Sequence, residues 1–150
     1  MEGTLKSEDN PDSLRRALVC EDDPIIRQMV ATILQREKFI VDTAQDGEEG
    51  IRKIEAHRYQ LLVIDLMMPK VSGYDVVKYL KDHLPPSLKR IVITTASTSA
   101  LTNPFPEEIC KVLAKPFEMD EFITYARDCS EDTDIRHRKK NALGGGAVDD

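Results

Sequence analysis

The chain has 150 residues, of which 41% are hydrophobic and 32% charged, with 21 Lys and Arg against 27 Asp and Glu. At roughly 100–200 residues per domain this is a single domain, able to bury about 68–70% of its unfolded surface without a disulfide or metal to hold a core. A formal net charge of -6 makes it a poor candidate for gripping nucleic acid by its phosphates, and the longest apolar run of the core, Leu61-Leu62-Val63-Ile64, is far too short to cross a bilayer.

Residues 1–15 are polar, broken by Asn10-Pro11, and read as a flexible leader. The opening Met1-Glu2-Gly3-Thr4-Leu5-Lys6 carries no apolar segment of a secretory signal. Ala17-Leu18-Val19-Cys20 is a short apolar run suited to a buried strand. Asp23-Pro24 then supplies a helix cap and a proline at the first helical position, and Ile26, Met29, Val30 and Ile33 follow at helical spacing. Residues 39–44 predict a second strand, closed by Asp46-Gly47, and residues 48–57 a second helix with Ile51 and Ile54 inward. Leu61 to Ile64 predict the third strand. Val76, Val77 and Leu80 mark a third helix, stopped before Pro85-Pro86. Residues 91–94 and 112–114 predict strands four and five, and Phe122, Ile123 and Ala126 a last helix. Residues 131–150, with the basic run Arg136-His137-Arg138-Lys139-Lys140 and then Gly144-Gly145-Gly146, have no apolar periodicity and read as a flexible tail. A single domain over residues 16–130 results.

Apolar strands separated by helices predict a parallel sheet covered on both faces, a doubly wound α/β fold. Right-handed crossovers put every strand's carboxyl end on one edge, where such folds bind ligands. The residues just past those ends are therefore the candidates for chemistry. They are Glu21-Asp22-Asp23, Asp65, Thr94-Thr95 and Lys115. Carboxylates about 4 Å apart repel by about 4 kcal/mol at an effective dielectric near 20, so they need either raised pKa values or a cation. An all-oxygen donor set, too small for a calcium cage and without His or Cys, points to Mg²⁺, with Mn²⁺ as a substitute. An Asp beside such a cation, a lysine and a hydroxyl is placed to receive a phosphoryl group on its oxygen. The three cysteines, Cys20, Cys110 and Cys129, are odd in number and lack a C-x-x-C spacing. They predict free thiols in a reducing cytoplasm.

Four segments carry a resemblance: Leu18-Val19-Cys20-Glu21-Asp22-Asp23-Pro24, residues 64–73 (Ile64-Asp65-Leu66-Met67-Met68-Pro69-Lys70-Val71-Ser72-Gly73), Ile93-Thr94-Thr95-Ala96 and Lys115-Pro116-Phe117. In this order, each at a strand end, they resemble the signature segments of receiver domains of two-component response regulators. The resemblance implies a flavodoxin-like (βα)5 fold with five parallel strands. Asp65 would be the phosphoacceptor and Asp22 the direct Mg²⁺ ligand, with Glu21 acting through water. Met67 would offer its backbone carbonyl to the metal. Thr95 would hydrogen-bond the phosphoryl group, Lys115 would be the ion-pairing lysine, and its bond to Pro116 would be cis. The family takes its phosphoryl group from a phosphohistidine on a sensor histidine kinase or phosphotransfer protein, then shifts between two surface states. Residues 131–150 are too few and polar for an output domain, so output is expected in trans, through a downstream protein. The chain would phosphorylate and slowly dephosphorylate itself without being a turnover enzyme.

Two positions depart from the family. Receivers typically carry Tyr or Phe three residues before the lysine, where this chain has Val112. Residues 97–111, with Pro104 and Pro106 after a Ser/Thr run, predict a shortened, displaced or missing helix between strands four and five. These departures favour one rival, a receiver-like interaction module independent of phosphorylation. A second rival, a phosphatase of the haloacid dehalogenase type, usually has an Asp two residues after its nucleophile. Here that position is Met67, which offers no general acid.

Overall fold

A computed structural model describes residues 15–96 and 108–130. The expected leader, tail and altered helix between strands four and five lie outside these residues, apart from Arg15, which opens the first strand, and residues 108–111. The strands are β1 (Arg15–Cys20), β2 (Phe39–Ala44), β3 (Leu61–Asp65), β4 (Ile91–Thr95) and β5 (Lys111–Ala114). The helices are α1 (Pro24–Arg36), α2 (Gly47–Ala56), α3 (Gly73–His83) and α4 (Met119–Ser130), with a 3₁₀ segment at Pro85–Arg90.

All strand pairs are parallel, in the order β2-β1-β3-β4-β5. This is the doubly wound, flavodoxin-like sheet read from the sequence. The strands look uniformly apolar because both faces are covered. Leu18, Cys20, Leu62, Ile64, Ile91 and Ile93 pack on one face with Ile54 of α2 and Val76, Val77 and Leu80 of α3. Ala17, Val19, Leu61, Val63, Val92 and Leu113 pack on the other with Val30, Ile33 and Leu34 of α1 and Phe122, Ala126 and Cys129 of α4. Each large side chain fully buried here, such as Leu18, Ile64 or Phe122, contributes about 1.5–3 kcal/mol of transfer free energy.

Helix starts follow local chemistry. The Asp23 carboxylate accepts from the backbone N–H of Ile25 and Ile26, with Pro24 at the first helical position. Ser72 and Asp75 form a capping box on α3. The cysteines require a correction. Cys110 and Cys129 form a disulfide, with Cα atoms 5.8 Å apart, and Cys20 is the free thiol. The odd count excluded complete pairing but not one bridge, and a separation of 19 residues along the chain says nothing of distance across the fold. Cys20 is a small core residue as expected, and burial, followed by the charge of Glu49, pushes its thiol pKa up to about 12.

Candidate functional site

The site forms because the backbone ladder continues one residue past each strand. The Glu21 N–H donates to the Ala44 carbonyl at 3.0 Å, Leu66 N–H to Thr94 O at 3.1 Å, and Lys115 N–H to Thr95 O at 2.8 Å. In register, Asp65 lies beside Thr94 and Thr95 beside Ala114. The chain leaves β1 toward β2 on one side and later places β3 on the other. The crevice between β1 and β3 is thus the switch point where this class of sheet binds ligands.

There Glu21, Asp22, Asp65 and Lys115 meet. Glu21, Asp22 and Asp65 each offer a carboxylate oxygen within 4.8 Å of the others. Lys115 Nζ donates to Glu21 Oε1 at 2.8 Å and lies 3.4 Å from Asp65 Oδ2. Glu21 and Asp65 are each about 4% exposed, whereas Asp22 faces solvent. Thr95 is fully buried at the end of β4. The Met67 N–H donates to Asp65 Oδ1 at 3.3 Å, while its side chain is exposed. The Lys115–Pro116 bond is cis.

Three carboxylates against one ammonium leave an excess of negative charge. Burial raises the pKa of Glu21, opposed by its hydrogen bond to Lys115 and reinforced by the charge of Asp65. Burial pulls the Lys115 ammonium down, but the hydrogen bond to Glu21 and the charges of Asp65 and Glu21 outweigh it and hold the pKa above the ordinary lysine value. Lysine therefore stays charged and compensates part of the cluster. Each remaining carboxylate pair at such a separation costs about 3–4 kcal/mol at an effective dielectric near 20. An all-oxygen set with one solvent-facing member suits a hard divalent cation that keeps several waters.

Several supports were not legible in the sequence. Arg27 Nη1 donates to the carbonyls of Glu21 and Asp22 at 2.8 and 3.4 Å, fixing the acidic pair's backbone. Its only signal is its place one turn after the Asp23 cap. The Glu21 Oε2 accepts from Asp23 N–H at 3.2 Å, so both of its oxygens are engaged. The loop after Asp65 is clamped by two glycines. A Cβ on Gly73 would collide with the Asp65 carbonyl oxygen, and one on Gly47 with that of Val71. Lys70, at a φ of 65°, lies 3.7 Å from the Asp46 carboxylate that caps α2. A groove of about 660 Å³, lined by Tyr59, Tyr79, His83 and Arg90 among others, lies at the opposite edge of the sheet and shares no residue with this cluster.

Residues 17–127 match the response regulator receiver domain family, and the chain belongs to that family. Response regulator ArlR of Staphylococcus aureus (strain Mu50) is 27% identical over 115 residues, which cover 76% of this chain and 52% of ArlR. The chain thus spans about half the length of the curated relatives it matches. Among solved structures, response regulator TrrA of Thermotoga maritima, in complex with Mg²⁺-BeF, aligns with a TM-score of 0.70 at 27% identity. The alignment covers 77% of this chain and 99% of that one. The receiver domain of Francisella response regulator 1452 aligns at 0.68 with 28% identity, covering 79% and 98%. Among the described residues no helix is long and apolar enough to cross a membrane.

Proposed function

We propose that this receiver accepts a phosphoryl group on Asp65 from a phosphohistidine donor and thereby switches the binding of a downstream protein. The observation that carries the reading is the single lysine, Lys115, reaching both Glu21 and Asp65 beside the exposed Asp22. A carboxylate oxygen of Asp65 attacks phosphorus, the P–N bond of the donor breaks, and its electron pair leaves on the imidazole nitrogen. The product is an acyl phosphate on Asp65.

The donor set fits Mg²⁺, with Mn²⁺ as a substitute. Asp22, Asp65 and the Met67 carbonyl would hold it directly, and Glu21 through water. When bound it supplies positive charge against the phosphoryl oxygens. The TrrA complex with Mg²⁺-BeF supports the same use of this fold. Lys115 pairs with a second phosphoryl oxygen, and the Thr95 hydroxyl, at the end of the adjacent strand, hydrogen-bonds a third. Burial of Asp65 limits water's approach, so hydrolysis is slow and the chain acts as a switch rather than a turnover enzyme. A sensor histidine kinase or phosphotransfer protein is the donor, and the cytoplasm, where such donors act, is the compartment.

The test is intact mass after incubation with Mg²⁺ and a small acyl phosphate. Wild type should gain one phosphoryl group and Asp65→Asn none. A folded wild type that gains nothing would return the chain to the phosphorylation-independent interaction module. Equal gain in both proteins would place the acceptor elsewhere.

A further inference from the structure

β5 carries Lys115 immediately past its end, yet it is the weakest strand of the sheet. It has four residues, lies at one edge and, among the described strands, pairs only with β4. Of its residues, Leu113 is the one that is fully buried. Side chains add limited support: Phe117 stacks on Phe122 at 5.5 Å and Lys111 lies over the Tyr125 ring at 4.9 Å. The strand's start has a covalent anchor. Cys110, directly before Lys111, is bonded to Cys129 in the last turn of α4. The ring closed by this bond contains β5, Lys115 and most of α4.

The two cysteines differ in exposure. Cys129 is 2% exposed in the core between α4 and the sheet, whereas Cys110 is only partly buried. Cys20 packs on the opposite face of the sheet and is cut off from the pair. The partly exposed Cys110 is therefore the half of the bond open to attack by a small thiolate, and the one other thiol, Cys20, is buried out of reach of it.

We infer that Cys110 and Cys129 form a reversible thiol–disulfide modification site whose state sets how firmly β5 and Lys115 are held against the acidic pocket. The consequence for phosphoryl uptake rests on the function proposed above; the tethering of β5 does not. In reduction, the thiolate of a low-molecular-weight thiol such as glutathione attacks the Cys110 sulfur. The disulfide breaks, and its electron pair goes to the Cys129 sulfur, which takes a proton from solvent. A second glutathione thiolate attacks the mixed disulfide and releases Cys110 as a thiolate, which is then protonated, together with glutathione disulfide. Oxidation is the reverse, with glutathione disulfide as the oxidant.

The experiment poises the protein in glutathione buffers from fully oxidised to fully reduced. It counts thiols by alkylation after unfolding and follows backbone amide exchange across residues 111–115 in the folded protein. One labelled thiol is expected in the oxidised form and three in the reduced form. Exchange of the Lys115 amide, which donates to Thr95 O, should be at least about tenfold faster after reduction, since removing the tie lets the edge strand open locally. Cys110→Ser should show the fast rate in every buffer. Three labels in all buffers, one label in all buffers, unchanged exchange, or a Cys110→Ser rate that still follows the glutathione ratio would each overturn the inference. Phosphoryl uptake by both forms is measured in parallel. Its absence from both would remove the proposed function and leave the exchange result to decide this one. Equal uptake rates would confine the site's effect to β5.

Discussion

The two sides of the carboxyl edge are held by different means. Around β1 and β3, two paired neighbours flank each strand, Arg27 grips the backbone of the acidic pair, and Gly47 and Gly73 lock the loop after Asp65. Around β5, one neighbour, a few ring contacts and a disulfide do the holding. The acceptor side is thus held by two strand neighbours and close backbone approaches as well as by Arg27, whereas the lysine side has one strand neighbour and leans more on side chains. A change on the acceptor side should remove chemistry or strain the fold; a change on the lysine side should alter how tightly one group is placed.

The largest effect belongs to Asp65→Asn. The amide keeps the shape that meets the Met67 N–H but loses the charge facing Lys115. Phosphoryl uptake should vanish while circular dichroism stays native; retained uptake would break the comparison at its centre. Next comes Lys115→Met, which leaves Glu21 and Asp65, both buried, without their cation. Stripping one partner from such a cluster should cost about 3 kcal/mol in metal-free buffer, read from urea unfolding. Mg²⁺ should recover part of that loss, because it offsets the same charge. A variant as stable as wild type without metal would show that the lysine does not hold the two sides together.

Gly73→Ala ranks third and touches only the acceptor side. Its Cβ meets the Asp65 carbonyl and the Leu66 Cα, backbone that cannot rotate aside. About 2 kcal/mol of stability should be lost through overpacking, and uptake should slow because the same shift moves Asp65. Normal uptake with reduced stability would mean the loop can retreat without disturbing the acceptor.

How much of this was legible in the sequence follows from the same division. Glu21, Asp22, Asp65, Thr95 and Lys115 could be gathered from the chain because a parallel sheet brings four distant strand ends, those of β1, β3, β4 and β5, to one edge. Strand and helix types were legible because the apolar runs and the Asp23-Pro24 start are local signals. Arg27 and the glycine clamps were not, since each depends on a backbone approach between elements distant in sequence or on a side chain folding back over its own turn. The Cys110–Cys129 bond was misread for a related reason. Sequence counts cysteines, whereas pairing depends on β5 lying against α4.

The smallest expected effect tests the lysine side at Val112, where receivers typically carry an aromatic ring. Val112 is partly buried and packs with the core that includes Ile93 and Leu88. Being β-branched and small, it has no ring to swing toward Thr95, so it can serve only as packing. Val112→Ala should therefore cost about 1 kcal/mol or less, the worth of two half-buried methyl groups. The rate of phosphoryl uptake should stay within error of wild type, because the acceptor, the acidic pair and Lys115 reach the pocket without it. Uptake slowed about tenfold or more would mean that this valine positions the lysine through β5, and the edge would then have to be treated as one mechanical unit.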